Sequence, residues 1–318
     1  MKLSVIGCGR WGSFLAWYLD RLNHEVVLYG RESSEKFAQL RATRTNGLIR
    51  LADSVRLTSS LEEAVSFAET LILSIGAQNL RGLMKQLSQL DLSGKTIVLC
   101  MKGIEADTGK RLTQIVEEYE PQVPVAIWVG PGHVQYFTRG IPNCMVIDSK
   151  SMKTKEYLVE AFAGDLIRFY YGTDLLGNEV GAASKNVIGI AAGMLDGLNK
   201  TALKGALMSR GTREIARLIH AMGGNELTAY GLAHLGDYEA TVFSEFSHNR
   251  RFGEVFVTGG RYGELAEGVA TTTALLRLGR EYKVELPICQ AVNAVVHEKK
   301  DPNDVLSDLF LRSLKREF

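Results

Sequence analysis

A glycine-rich turn at the start of the chain places the strongest constraint on its fold. Gly7, Gly9 and Gly12 form a GxGxxG motif between an apolar run at residues 3–6 and a helical stretch at 11–22. In a strand–turn–helix unit the first glycine permits the tight turn, the second lets the backbone approach a pyrophosphate, and the third allows close helix–strand packing. The helix amino terminus offers free amides to phosphate groups. The motif predicts a dinucleotide-binding domain, the alternative being a glycine turn without a ligand.

Short apolar runs alternate with helical stretches through the first half of the chain. They lie at residues 3–6, 25–29, 70–74, 96–100, 125–129 and 144–147. Runs of this kind, separated by helices, indicate parallel strands covered on both faces. Ser60 and Glu63 match a capping box, which predicts the start of a further helix. The first half is therefore predicted to be an α/β doubly wound sheet.

The second half has the periodicity of helices. None of the six prolines lies between positions 143 and 286. Apolar residues recur there at helical spacing, as at Ile215, Leu218 and Ile219. We predict a dinucleotide-binding domain at residues 1–175 and an all-helical substrate-binding and catalytic domain at residues 176–318.

Composition excludes several classes of protein. Lys plus Arg is 37 and Asp plus Glu is 36, a net charge of +1, whereas nucleic-acid-binding proteins usually carry a basic excess. The four cysteines form no CxxC pair, which argues against a disulfide scaffold or a zinc site. We therefore expect no nucleic-acid partner and no metal. No apolar run approaches the roughly 20 residues that span a bilayer, and the amino terminus lacks a signal-peptide pattern. We expect a cytoplasmic protein without a membrane span.

The end of the second predicted strand bears on the choice of cofactor. Arg31 and Glu32 follow that strand closely. An acidic residue here accepts hydrogen bonds from the adenosine ribose of NAD, whereas an arginine accommodates the 2′-phosphate of NADP. Arg31 favours NADPH and Glu32 keeps NADH open, while a solvated loop arginine is the alternative interpretation.

Lys185 lies in an apolar stretch at residues 182–194. A helix that is apolar on nearly all faces is a buried helix, and lysine is rarely buried without a partner. Lys185 therefore either extends to solvent or faces a polar cleft. We predict the cleft, where Lys185 would act as a general acid–base and Asn186 would orient a substrate hydroxyl or a neighbouring lysine.

Other polar groups are candidates for the substrate site. His248, Arg250 and Arg251 form a cationic cluster that suits a phosphate, with surface arginines as the alternative. Asp237 is a candidate acceptor for a substrate hydroxyl or for Lys185. Lys102 follows a predicted strand directly, as does the 130–132 turn, and the carboxyl ends of strands line the ligand crevice of such sheets.

Taken in order, these motifs resemble the NAD(P)-dependent glycerol-3-phosphate dehydrogenases of the bacterial type. The resemblance is carried by residues 7–12, 101–105, 184–193, 235–237, 249–253 and 267–269. It implies an N-terminal Rossmann-like domain followed by an all-α domain like the C-terminal domain of 6-phosphogluconate dehydrogenase. It also implies reversible reduction of dihydroxyacetone phosphate to sn-glycerol 3-phosphate with NADPH or NADH, which feeds phospholipid synthesis, and a homodimer.

The resemblance also implies roles for individual residues. Lys185 matches the lysine that transfers a proton to the substrate. The implied substrate contacts are Lys102, Gly130, Gly132, Lys185, Asp237, Ser247, His248, Asn249 and Arg250. The implied cofactor contacts are Gly7, Gly9, Arg10, Trp11, Gly12, Arg31, Lys102, Val134, His248, Leu265 and Glu267.

Two positions depart from the family pattern. Gly132 stands where the family usually has the second serine of Ser-Gly-Pro-Ser, and His248 stands where it usually has the arginine of Ser-Arg-Asn. Both departures concern the substrate side. A reductase of another small phosphorylated ketone or of a 2-keto acid, such as a 2-ketopantoate-like compound, is therefore an alternative. A dinucleotide-binding sensor without turnover is an alternative of another class.

Overall fold

The computed structural model describes residues 1–311; residues 312–318, the end of the predicted helical domain, lie outside the described residues. The chain divides into two compact units. The first contains residues 1–102 and 110–179, and the second contains residues 103–109 and the chain from 180 onward. Within the described part of the chain, no helix combines the length and the apolar character needed to cross a bilayer.

The first unit is built on an eight-stranded sheet with the order β3-β2-β1-β4-β5-β6-β7-β8. The strands are β1 (Lys2–Ile6), β2 (Glu25–Tyr29), β3 (Arg56–Thr58), β4 (Thr70–Leu73), β5 (Thr96–Leu99), β6 (Val125–Val129), β7 (Asn143–Ser149) and β8 (Ile167–Tyr171). Strands β4 and β6 are buried along their whole length, as expected where helices cover both faces of a sheet. The predicted doubly wound sheet is confirmed.

The helices of this unit are α1 (Arg10–Arg21), α2 (Glu35–Thr43), α3 (Leu61–Phe67), α4 (Leu80–Leu87), α5 (Leu112–Tyr119), α6 (Val134–Phe137) and α7 (Met152–Phe162), with a 3-10 turn at Ala77–Asn79. Two of them lie where they were predicted: α1 is shifted by one residue from the predicted 11–22, and α3 begins directly after Ser60. Ser60 caps α3 by accepting a hydrogen bond from the Glu63 amide at 3.1 Å. The other half of the predicted capping box is wrong: the Glu63 carboxylate accepts from the Thr58 hydroxyl, and the Ser60 amide donates to Thr58 Oγ1.

The expectation that all strands are parallel is wrong for β7, which pairs antiparallel with β6. Strand β6 has five residues and rises about 16 Å, at roughly 3.3 Å per residue. The intervening helix α6 has four residues and is about 6 Å long. Because α6 is too short to serve as the crossover helix that usually joins parallel strands, the connection turns back and β7 runs in the opposite direction. Strand β8 then pairs parallel with β7 across α7.

From residue 180 onward, the regular secondary structure of the second unit is helical over the described residues, as predicted. Its helices are α8 (Leu175–Gly197, whose first turn belongs to the first unit), α9 (Lys204–Ala221), α10 (His248–Val257), α11 (Glu267–Glu281), α12 (Pro287–Val296) and α13 (Pro302–Phe310). Shorter turns lie at Thr201–Leu203, Glu226–Tyr230 and Leu235–Asp237 (3-10) and at Glu239–Phe243 (π).

Helices α8 and α10 touch through their backbones because glycines lie at their crossing. A Cβ atom at Gly193 would clash with the carbonyl oxygen of Arg250, and one at Gly253 would clash with that of Ile190. This contact sets the distance between the helix that carries Lys185 and the helix that begins at His248.

His234 ties the 235–237 turn to α8. Its imidazole is fully buried, with Nδ1 2.8 Å from the carbonyl oxygen of Gly181 and Nε2 2.7 Å from the Tyr238 hydroxyl. A carbonyl oxygen only accepts, so Nδ1 donates and Nε2 accepts from Tyr238. Burial lowers the pKa of His234 from 6.5 to about 4, although the hydrogen bond to Gly181 and the charge of Asp237 oppose this shift. The ring is therefore neutral near neutral pH.

We predict that Gly253→Ala lowers the free energy of unfolding by about 1–3 kcal/mol, since the methyl group forces α8 and α10 apart. Gly205→Ala is the matched control, because a Cβ atom there meets nothing within 4 Å in helix α9. The control should leave stability unchanged or raise it by up to about 1 kcal/mol. Urea unfolding measures both variants. Equal effects would contradict the close contact.

We also predict that the neutral His234 makes the fold sensitive to acid. The folded pKa lies below the unfolded value, so the unfolded chain takes up the proton first as the pH falls. The contribution of His234 to the free energy of unfolding is fully present above pH 6.5. It declines by about 3 kcal/mol as the pH falls to about 4. His234→Asn should remove this part of the decline, whereas Tyr238→Phe, which leaves the imidazole buried, should retain it. Unfolding free energies measured across this interval test the prediction, and identical slopes in both variants would refute it.

Candidate active site

The glycine turn of the first unit has the geometry of a pyrophosphate-binding turn. Gly7 has a φ of +118°, which only glycine adopts readily, and a Cβ atom at Gly12 would clash with the Gly7 carbonyl oxygen. A Cβ atom at Gly9 would meet nothing within 4 Å. Helix α1 begins at Arg10 without a side-chain cap. Open space beside a helix amino terminus fits a dinucleotide phosphate.

An aromatic cluster lies beside this turn. The Trp11 ring is 5.0 Å from the Phe14 ring and 6.2 Å from the Phe137 ring, between centroids. A Cβ atom at Gly132 would lie 2.5 Å from Phe137. The missing serine at position 132 thus has a structural reason, because the Phe137 ring occupies the space that the serine side chain needs. Val134, in the same segment, is buried.

The structure brings Lys102 and Gly130 together. Lys102 follows β5 closely, Gly130 follows β6 directly, and Lys102 Nζ donates to the Gly130 carbonyl oxygen at 2.6 Å. Strands β5 and β6 are neighbours in the sheet, so their carboxyl ends bring the two residues to one edge. Both residues belong to the first unit.

The loop after β2 presents two residues of opposite charge. Arg31 is exposed. Both carboxylate oxygens of Glu32 accept from Arg41 Nη1, at 2.8 and 2.9 Å. Hydrogen bonds from Ser59 and then from Arg41 lower the pKa of Glu32. Glu32 is therefore an ionised carboxylate that is already bound to an arginine.

In the second unit, the Lys185 side chain is buried and held by two oxygen atoms. It is 8% exposed, and its Nζ lies 2.9 Å from Asp237 Oδ2 and 2.7 Å from Thr241 Oγ1. The carboxylate stabilises the charged ammonium, which is the form that can donate a proton. Of the two alternatives for Lys185, the polar environment is the one observed.

Thr241 was not among the predicted site residues. Its hydroxyl donates to the Asp237 carbonyl oxygen at 2.7 Å and so presents a lone pair to Lys185. A threonine four positions after Asp237 is the sequence signal. It becomes informative only when the 3-10 and π turns that join the two residues are known.

Asn186 and Asn249 connect three helices of the second unit. Asn249 Nδ2 donates to Asn186 Oδ1 at 3.1 Å, and Asn249 Oδ1 accepts from the Gly268 amide at 2.9 Å. Glu267, a predicted cofactor contact, is the first residue of α11. The hydrogen bonds from Asn186 through Asn249 to Gly268 therefore end next to it. Leu265, another such residue, is 63% exposed in the loop before α11.

Ser247 and His248 both have defined hydrogen-bond partners at the start of helix α10. Ser247 caps α10 by accepting from the Arg250 amide at 3.3 Å. His248 Nδ1 is hydrogen-bonded to the Tyr262 hydroxyl, a residue that was not predicted. The imidazole therefore has a fixed orientation, with Tyr262 as its anchor.

Arg250 takes part in an ion-pair cluster between helices. Its Nε lies 2.7 Å from Asp196 Oδ2, and the same oxygen lies 2.6 Å from Lys204 Nζ. Arg250 Nη2 is also 3.4 Å from Glu254. These contacts join α8, α9 and α10. They give Arg250 a structural partner in addition to the phosphate role implied by the sequence.

Comparison with known proteins identifies the family. Family models described as the N-terminus and the C-terminus of NAD-dependent glycerol-3-phosphate dehydrogenase match residues 2–155 and 174–307. A glycerol-3-phosphate dehydrogenase (NAD(P)+) of Pelodictyon phaeoclathratiforme is 36% identical over 100% of this chain and 99% of its own length. One of Fusobacterium nucleatum is 35% identical over 100% and 98%. The crystal structure of glycerol-3-phosphate dehydrogenase from Coxiella burnetii, 26% identical, superposes with a TM-score of 0.92 over 98% of each chain. The chain belongs to the NAD-dependent glycerol-3-phosphate dehydrogenase family.

Proposed function

We propose that the protein is an oxidoreductase that reversibly reduces dihydroxyacetone phosphate to sn-glycerol 3-phosphate with a nicotinamide dinucleotide, a step that supplies phospholipid synthesis. The observation that carries the proposal is the buried Lys185 ammonium between Asp237 and Thr241. Reduction of a ketone needs a proton donor at the carbonyl oxygen, and this ammonium is a positioned donor. The relatives from Pelodictyon and Fusobacterium bear the name of this activity.

The proposal assigns cofactor binding to the predicted domain at 1–175 and substrate binding to the domain at 176–318. The turn at residues 7–12 and the amino terminus of α1 would hold the pyrophosphate, because Gly9 leaves space there. When bound, the reduced nicotinamide supplies the hydride that the ketone carbon accepts. The expected homodimer and cytoplasmic location stay predictions.

Lys185 would donate its proton to the C2 oxygen of the substrate as negative charge develops there. Partial proton transfer from the ammonium to that oxygen would stabilise the alkoxide-like transition state. Thr241 and Asp237 hold the ammonium in one place, so little reorganisation is needed when the proton moves. In the reverse direction the same amine would accept the proton from the substrate hydroxyl.

The substrate is decided by a comparison of turnover. The steady-state rate of NADPH oxidation with dihydroxyacetone phosphate should exceed that with 2-keto acids of similar size. His248, at a position where the family usually has an arginine, supports a second candidate, the reduction of a different small phosphorylated ketone. Dinucleotide binding without turnover of any ketone would favour a sensor.

We predict that Lys185→Met lowers kcat by a factor of about 100 to 10,000, since the general acid is lost, while the dissociation constant for NADPH is unchanged. Lys155→Met is the matched control. Lys155 is also 8% exposed and lies 3.4 Å from Asp148, so its loss should lower stability but retain kcat. Steady-state kinetics and thermal melting measure the two effects. Near-normal turnover in Lys185→Met would remove Lys185 from the mechanism.

We predict that NADPH is the preferred cofactor and that Arg31 contacts its 2′-phosphate. Arg31→Ala should raise the KM for NADPH about tenfold, as expected for the loss of a charge-assisted hydrogen bond. The KM for NADH should stay within about twofold, because NADH lacks the phosphate. Equal increases for both cofactors would contradict the contact.

A further inference from the structure

The loop after β2 contains an acid that would ordinarily select NADH. Glu32 lies next to Arg31, in the segment where a carboxylate binds the adenosine ribose of NAD and repels the 2′-phosphate of NADP. Both oxygens of Glu32 are within 2.9 Å of Arg41 Nη1. A carboxylate so engaged has fewer lone pairs for ribose hydroxyls, and its charge is balanced.

The position of Arg41 follows from the packing of helix α2. Ser34 caps α2 by accepting from the Phe37 amide, and the Phe37 ring is buried against Gly30, where a Cβ atom would clash with it. Arg41 lies one turn after Phe37, with its guanidinium carbon 5.8 Å from the ring centroid. The buried ring therefore fixes α2 against the end of β2 and directs Arg41 towards the loop.

The pair persists through the physiological pH range. Hydrogen bonds from Ser59 and Arg41 lower the pKa of Glu32, and arginine remains protonated throughout. Both groups are solvent-exposed, at 53% for the Arg41 side chain and 69% for that of Glu32, so the pair contributes little to folding stability. The same exposure leaves both side chains accessible to a nucleotide.

We propose that Arg41 is a specificity-determining residue: by binding Glu32 it disables the NADH-selecting carboxylate and leaves the 2′-phosphate of NADPH to Arg31. This inference rests on the proposed use of a nicotinamide dinucleotide. Helix α2 would thus neutralise Glu32 through Arg41, a role that neither the glycine turn nor Arg31 fills.

The test measures binding of NADPH and NADH to the full-length protein, without substrate, from the change in nicotinamide fluorescence. The quantity compared is the ratio of the NADH to the NADPH dissociation constant. Arg41→Ala should lower this ratio about fivefold to tenfold, because the released carboxylate repels the 2′-phosphate and accepts from the ribose. Lys36→Ala is the control. It removes the same charge from an exposed position of the same helix and should change the ratio by less than about twofold.

A double-mutant cycle separates release of Glu32 from simple loss of positive charge. In a Glu32→Gln background, Arg41→Ala should no longer change the ratio. An unchanged ratio in Arg41→Ala alone overturns the proposal, as does an effect that persists undiminished in the Glu32→Gln background. Wild-type protein that binds neither dinucleotide overturns both this inference and the proposed cofactor. Binding with the expected ratios but no turnover of dihydroxyacetone phosphate overturns only the proposed reaction.

Discussion

A buried ammonium requires an anion and oxygen acceptors within reach, and this requirement organises the second unit. An unpaired charge in a protein interior costs several kcal/mol. Helix α8 can therefore remain apolar around Lys185 only because Asp237 and Thr241 come within 3 Å of its nitrogen. The irregular turns between 235 and 243 bring both residues there, and His234 anchors those turns to the Gly181 carbonyl on the same helix. The need to pair the buried Lys185 ammonium thus accounts both for the polar groups around it and for the irregular turns that carry them.

The second constraint on the arrangement of these polar residues is the close contact between the backbones of helices α8 and α10. Gly193 and Gly253 remove the side chains that would hold α8 and α10 apart. Residues one or two turns away from the crossing are then brought into hydrogen-bond distance, which is why Asn249 reaches Asn186. Gly193 and Gly253 are therefore packing residues, while Asn186 and Asn249 in the same motifs are polar residues that this packing brings together.

Features set by local conformation were predictable from the sequence, and features set by packing were not. The turn at Gly7 and the six apolar strands follow from short-range rules and appear where those rules place them. The direction of β7 depends on the length of α6, and β8 alternates buried Ile167 and Phe169 with exposed Arg168 and Tyr170, so it presents no continuous apolar run. Thr241 was missed because its role depends on how two irregular turns fold.

Local sequence also does not show which arginine can bind a phosphate, because that depends on ion pairs formed by packing. Arg31 and Arg250 are both arginines in motifs that point to phosphate, and nothing in their local sequence distinguishes them. Arg250 lies 2.7 Å from Asp196, a residue more than 50 positions earlier in the chain, whereas the acid next to Arg31 is bound by Arg41. A cation can bind a ligand strongly only if nearby carboxylates do not already balance its charge. The pairing of acids with bases across the fold, which composition cannot reveal at a net charge of +1, therefore decides which arginine is left for a phosphate.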